Sequence, residues 1–278
     1  MPPVADRPWL VTRPAAAGES LTAALRAAGC DARWLPAFDL GPAPDPQAAR
    51  AALARLATFD LAVLVSPAAV RATAALLDGR WPSAVPIGAV GRGTVDAVRA
   101  CFGAAPTVVA PASSEPTEDS ADEGGGRADP EASGSEAFWD ALTQRTVATG
   151  RAPREVLLLR AEQGRDWLRA HFEAAGARVT LLPVYRRVAR DWDSDDRAWI
   201  AARRHGPAPV LVVTSSEAVD ALLAAADTMP DAAALRAWLQ RGRALALHPR
   251  IVERLHAAGF GDVACVPCVA DALQAAAG

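Results

Sequence analysis

The stretch Ala174-Ala-Gly-Ala-Arg-Val-Thr-Leu-Leu-Pro-Val-Tyr-Arg-Arg187 closes a helix, supplies a strand and presents Tyr185, the one tyrosine of the chain. It has a twin, Ala27-Ala-Gly-Cys-Asp-Ala-Arg-Trp-Leu-Pro-Ala-Phe-Asp-Leu40. Gly29, Leu35, Pro36 and Phe38 of the twin stand, at one constant offset, where Gly176, Leu182, Pro183 and Tyr185 stand in the first. The glycine ends a helix and the apolar run after it reads as a strand, so the duplicated unit is helix followed by strand.

Working outward, the correspondence continues in order. Arg13 matches Arg160, Ser66 and Val70 match Ser215 and Val219, and Pro111 matches Pro267. The offset grows slowly along the chain, as small loop insertions would make it do. Short apolar runs such as Leu61-Ala-Val-Leu-Val65, Glu155–Leu159 and Val210-Leu-Val-Val213 alternate with helical patterns, which predicts two copies of a five-stranded α/β unit with parallel sheets. In such sheets ligands bind beyond the carboxyl ends of the strands, where helix N-termini point. The polar residues expected there are Thr12, Arg13, Ser66, Gly91 to Thr94, Arg160, Thr214, Ser215, Ser216 and His248.

The chain has 278 residues, 51% hydrophobic and 22% charged, enough for two domains with their own cores. Its apolar runs are strand-sized, well short of the roughly 20 residues that span a bilayer. The N-terminal MPPVADRPW has no basic start and apolar core, so the expectation is a cytoplasmic protein with reduced cysteines. No lysine occurs, and all 29 basic residues are arginine. That removes Schiff-base, pyridoxal-phosphate and P-loop chemistry, each of which needs an amine. A net charge of −3 without an aromatic-interleaved basic stripe argues against nucleic acid. Residues 112–135, rich in Ser, Glu, Asp and Gly, read as a disordered insertion far from every motif.

Each motif has a plain reading beside the functional one. Thr214-Ser-Ser-Glu-Ala-Val219 is either an anion site at a helix start or an ordinary N-cap. Gly91-Arg-Gly-Thr94 lacks a full phosphate fingerprint. Cys265-Val-Pro-Cys268 has redox spacing, but its twin Val109-Ala-Pro111 carries no thiol, which favours structural cysteines. Histidines 171, 205, 248 and 256 lie at no metal spacing. Glu162 and Asp166 are either an acid pair or helix-dipole residues, and Arg186-Arg187 either hold carboxylates or form a solvated edge. A lone tyrosine is ordinarily a core ring with its hydroxyl at the rim.

Taken together, Leu10-Val-Thr-Arg-Pro14, Leu64-Val-Ser-Pro-x-Ala-Val70, Ala89-Val-Gly-x-Gly-Thr94, Leu157-Leu-Leu-Arg160, Gly164-Arg-Asp-Trp-Leu168, Pro183-Val-Tyr-Arg-Arg187, Val213-Thr-Ser-Ser-Glu-Ala-Val219 and His248-Pro-Arg-Ile251 resemble the uroporphyrinogen-III synthase family over nearly the whole chain. The resemblance implies cofactor-free, metal-free cyclisation of hydroxymethylbilane to uroporphyrinogen III, with inversion of the last pyrrole ring, in heme biosynthesis. It implies a monomer that binds a tetrapyrrole and neither nucleic acid nor membrane. Tyr185 matches the family tyrosine and is expected to be catalytic. Arg13, Ser66, Thr94, Arg160, Thr214, Ser215, Ser216 and His248 are expected to bind the substrate's carboxylates. Ala68 departs from the asparagine common after the Ser-Pro.

The family also implies two flavodoxin-like parallel-sheet domains joined by a two-segment β hinge with a cleft between them. One would combine residues 1–38 and 184–278, and the other would be residues 39–183. The competing expectations are a two-domain small-anion binding module without catalysis and a thiol oxidoreductase using Cys265 and Cys268.

Overall fold

The computed structural model describes residues 7–104, 106–112, 134–164 and 166–266. In chain order the elements begin with β1 (Trp9–Val11), α1 (Ala15–Ala27), β2 (Ala32–Trp34), β3 (Phe38–Pro42), α2 (Pro46–Leu53), β4 (Leu61–Leu64) and α3 (Pro67–Leu76). Then come β5 (Ile87–Ala89), α4 (Arg92–Phe102), β6 (Val108–Val109), α5 (Gly134–Thr149), β7 (Glu155–Ala161), α6 (Trp167–Ala174) and β8 (Arg178–Ala189). The last are α7 (Ser194–Arg203), β9 (Val210–Val213), α8 (Ser216–Asp227), α9 (Ala232–Gln240), β10 (Arg243–Ala246), α10 (Pro249–Ala257) and β11 (Asp262–Cys265).

The chain forms two compact units, residues 1–40 with 188–278, and residues 41–187. In the first, five strands lie in the order β11-β10-β9-β1-β2, with every pairing parallel. Successive strand residues face opposite sides. Leu10, Leu211, Val213 and Ala244 pack under α8 and α9, while Trp9, Val11, Val210 and Val212 pack against Leu21 and Leu25 of α1. The second sheet follows the order β3-β8-β7-β4-β5-β6, and β8-β7-β4-β5-β6 is parallel throughout. One face buries Ala62, Leu64, Leu157 and Leu159 beneath α3 and α4, and the other buries Val63, Val156 and Leu158 beneath Phe138 of α5 and Phe172 of α6. Each such Leu or Phe contributes on the order of 1.5–3 kcal/mol.

The helix-ending glycines act as the repeat requires. Gly29, Gly176 and Gly259 have φ of +85°, +85° and +88°, the left-handed conformation that a side chain would strain.

Three sequence expectations need correction. The second sheet has six strands, because β3 lies beside β8 at its edge; its Gly41-Pro42 ending disguises a strand that covers part of an otherwise open edge. Helix α9 was not expected, although Asp231 is a residue type suited to an N-cap and Leu235, Trp238 and Leu239 have helical spacing; in the structure Asp231 is left-handed and makes no side-chain cap bond. Helix α5 starts at Gly134, so the last two residues of the expected 112–135 insertion are helical. Residues 113–133, and the terminal helix expected after β11, lie outside the described residues.

Candidate functional site

Tyr185 owes its position to an irregularity in β8. The β7–β8 register runs one for one to Arg160↔Pro183, then jumps to Ala161↔Tyr185, leaving Val184 as an extra residue. Strict alternation would turn Tyr185 away from the side that holds Leu182 and Val184. The bulge instead places all three in one buried cluster. The ring is 6% exposed, and its hydroxyl ends 3.3 Å from Ser66 Oγ.

Ser66 is the N-cap of α3, with Pro67 at the first helical position. Its hydroxyl oxygen accepts the Ala69 N–H at 3.1 Å. No acidic residue occupies the first turn of α3, so nothing there offsets the positive end of the helix dipole. Tyr185 and Ser66 line a cavity of about 170 Å³ together with Ser135, Arg160, Gln163, Trp167 and Arg187. That space suits one small ring and a substituent.

The remaining expected residues divide by their present engagements. Arg160, 9% exposed, donates to Asp166 Oδ1 at 2.7 Å and to the Gly164 carbonyl at 2.6 Å, clamping the loop that forms one cavity wall. Thr94 is the third residue of α4 and is 3% exposed. In the first unit, the Ser215 oxygen accepts the Ala218 N–H and His248 Nδ1 accepts the Arg250 N–H, so both side chains cap helices. Arg13 and Thr214, just past β1 and β9, and Ser216, the first residue of α8, are half-buried, and the Arg13 carbonyl accepts the Trp34 indole N–H. Thr12 is buried and donates to the Val212 carbonyl.

Sequence reasoning passed over Gln163, Trp167 and Ser135. Ser135, the second residue of α5 and the last of the expected 112–135 insertion, lines the cavity, so this end of the insertion is not far from every motif. Trp167 lies within the Gly164–Leu168 motif but reads there as a core residue, and no local motif marks Gln163 or Ser135; the register of β4, β7 and β8 brings their loops together.

A larger opening, about 1200 Å³, lies among Asp60, Leu61, Arg145, Arg151 and Arg154 at the amino ends of β4 and β7. Parallel sheets bind ligands at the other end. Its one carboxylate, Asp60, already accepts the Arg154 and Glu155 backbone N–H groups. Among the described residues no group of three His, Cys, Asp or Glu could hold a metal, and no helix is long and apolar enough to cross a membrane. Cys265 is exposed at the end of β11, and Cys268 lies outside the described residues.

The family model described as uroporphyrinogen-III synthase HemD matches residues 19–272. The chain belongs to the uroporphyrinogen-III synthase family. It is similar to the uroporphyrinogen-III synthases of Salmonella typhimurium and Escherichia coli, 29% and 26% identical over 91% of this chain and 92% of theirs. Its fold resembles that of a uroporphyrinogen-III synthetase from Helicobacter pylori, with TM-score 0.56 and 13% identity over 97% of both chains. It also resembles a mutant uroporphyrinogen III synthase from Thermus thermophilus, with TM-score 0.53 and 18% identity over 97% of this chain and 96% of the other. At those identities the structures speak for the parallel α/β fold, while membership of the family rests on the sequence.

Proposed function

We propose that this chain cyclises hydroxymethylbilane to uroporphyrinogen III, with Tyr185 as its general acid. Besides family membership, the observation that carries this reading is a phenol held at the edge of a small cavity by a bulge whose effect is to aim it there. Loss of the terminal hydroxyl needs a proton. Tyr185 supplies it to the departing oxygen while the pyrrole nitrogen pushes out the C–O pair, giving water, an azafulvenium cation and the Tyr185 phenolate. The substituted carbon of the last ring attacks that electrophile. The resulting spiro intermediate fragments and recloses with the ring inverted, and the proton lost as the last pyrrole regains aromaticity returns to the phenolate.

The same cation closes without inversion when unassisted. The protein's larger task is therefore to fix which carbon lies within reach. Arg13, Thr214 and Ser216 are the half-buried donors we assign to substrate acetates and propionates, while Arg160 clamps a cavity wall. The crossings at about 38–41 and 183–187 are read as paired hinges that let the two units close on the substrate.

The test is to supply hydroxymethylbilane and separate the uroporphyrinogen isomers. Isomer III, formed faster than spontaneous closure, is expected. Isomer I alone, at the spontaneous rate, overturns the assignment in favour of binding without catalysis.

A further inference from the structure

Ser66 has been read as a contact for a substrate carboxylate, but its hydroxyl faces Tyr185. A serine hydroxyl has one proton and two acceptor positions. The Ala69 N–H occupies one of those positions and fixes the oxygen at the start of α3. The 3.3 Å contact with Tyr185 Oη then has two orientations. If the phenol donated to Ser66, its only proton would point away from any substrate.

We infer that Ser66 donates to Tyr185 Oη and is the positioning residue of the proton transfer, not a substrate contact. This rests on Tyr185 being the general acid proposed above. With Ser66 as donor, the phenol proton is left to lie on the cavity side of the oxygen. When that proton passes to the leaving hydroxyl and the C–O pair departs with it as water, the negative charge on Oη meets the Ser66 O–H and the N-terminal end of α3. No carboxylate in the first turn of that helix opposes the charge. Proton return to Oη restores the starting arrangement, so atoms and charge balance over the cycle.

The single tyrosine makes the test clean. With one tyrosine in the sequence, protein labelled with ¹³Cζ-tyrosine gives one resonance, which reports the hydrogen bonding of Tyr185 without substrate. Ser66→Gly removes the hydroxyl while keeping a residue tolerated at an N-cap, and Ser66→Thr keeps both hydroxyl and cap. The expected result is a displaced resonance in Ser66→Gly and a near-native one in Ser66→Thr. In turnover of hydroxymethylbilane, Ser66→Gly should lower kcat about tenfold with KM unchanged, about what one lost hydrogen bond to a reacting oxygen costs. Ser66→Thr should recover most of that rate.

An unmoved resonance in Ser66→Gly overturns the contact. A raised KM with kcat intact overturns the role and returns Ser66 to carboxylate binding. A wild-type protein that forms only isomer I with the resonance shift still present would instead sink the enzymatic reading, so the two failures are separable.

Discussion

Asp196, only 1% exposed, is held by Arg33 at 2.7 Å and by Arg190 at 3.3 Å. The aspartate comes from α7, one arginine from β2 and the other from the segment that follows β8, so this buried carboxylate ties the returning chain to the first sheet, beside the more exposed Asp193 at 3.9 Å from Arg33 and 3.5 Å from Arg190. Removing it leaves two guanidinium groups facing a buried vacancy. Both are about a quarter exposed, with side-chain exposures of 26% and 22%, and can turn partly to water. Asp196→Ala is therefore expected to cost about 2–3 kcal/mol, below the full penalty of a wholly buried pair. Urea denaturation of the variant measures it, and a loss under half a kilocalorie would mean that the network is surface decoration.

Gly18 in α1 lies over the hydrogen bond from the Trp34 indole N–H to the Arg13 carbonyl. A Cβ there would overlap the carbonyl oxygen and sit 2.5 Å from the indole nitrogen. The obstacle is backbone and cannot swing aside. Gly18→Ala should destabilise by about 1–3 kcal/mol, although alanine is the better helix former. It should also displace Arg13 and raise KM for hydroxymethylbilane. Thermal melts and steady-state kinetics together check this, and a stabilised variant would contradict the packing.

Asp60 gives the protein an acid-side pH dependence. The Glu155 backbone N–H, and then that of Arg154, hold its carboxyl below the usual carboxylate range. A pKa lower in the folded than in the unfolded chain stabilises the fold above the unfolded value, and that contribution is lost as pH falls through the folded value. The side chain is solvent-exposed, so the effect is modest. Chemical denaturation at a series of pH values should show native stability declining below the ordinary aspartate range. Asp60→Asn should flatten that decline, and identical slopes for the two proteins would exclude Asp60 as its source.

Arg160 shows where the sequence stops being informative. Its place at a strand end and its match to Arg13 follow from the repeat, and both suggest a carboxylate-binding residue. Its partners, Asp166 and the Gly164 carbonyl, are set by a loop whose path no periodicity encodes. The strand–helix alternation, the stop glycines and the Ser215 cap were legible because each is a local property of a few neighbouring residues. The bulge at Val184 was not, because it is defined only against β7. Ser135, likewise, reaches the cavity only through tertiary placement of α5.

The two roles for Arg160 predict different variants. As a loop clamp, Arg160→Met should cost about 1–3 kcal/mol by leaving the Gly164 carbonyl unpaired, while Asp166→Asn, at an exposed carboxylate, should change stability by about 0.5 kcal/mol or less. As a substrate residue, Arg160→Met would raise KM and leave denaturation unchanged. Parallel urea titrations and kinetics on both variants separate these cases.

Tyr185→Phe removes one oxygen from a site whose scaffold already accepts phenylalanine in its other copy. Phe38 occupies the equivalent place in the repeat and is itself buried, packing in the core of the first unit. Loss of the phenol oxygen should therefore change stability by no more than about 1 kcal/mol, the worth of a single hydrogen bond. Turnover should fall by roughly 10²–10⁴-fold, the range for removing a general acid. The product should change with it, because substrate that escapes the slowed enzyme closes spontaneously to isomer I. Isomer ratio and melting temperature, measured on the same preparation, decide the matter. A native melt with near-native formation of isomer III would return Tyr185 to the packing role that Phe38 fills, and the proton would have to come from elsewhere in the cavity.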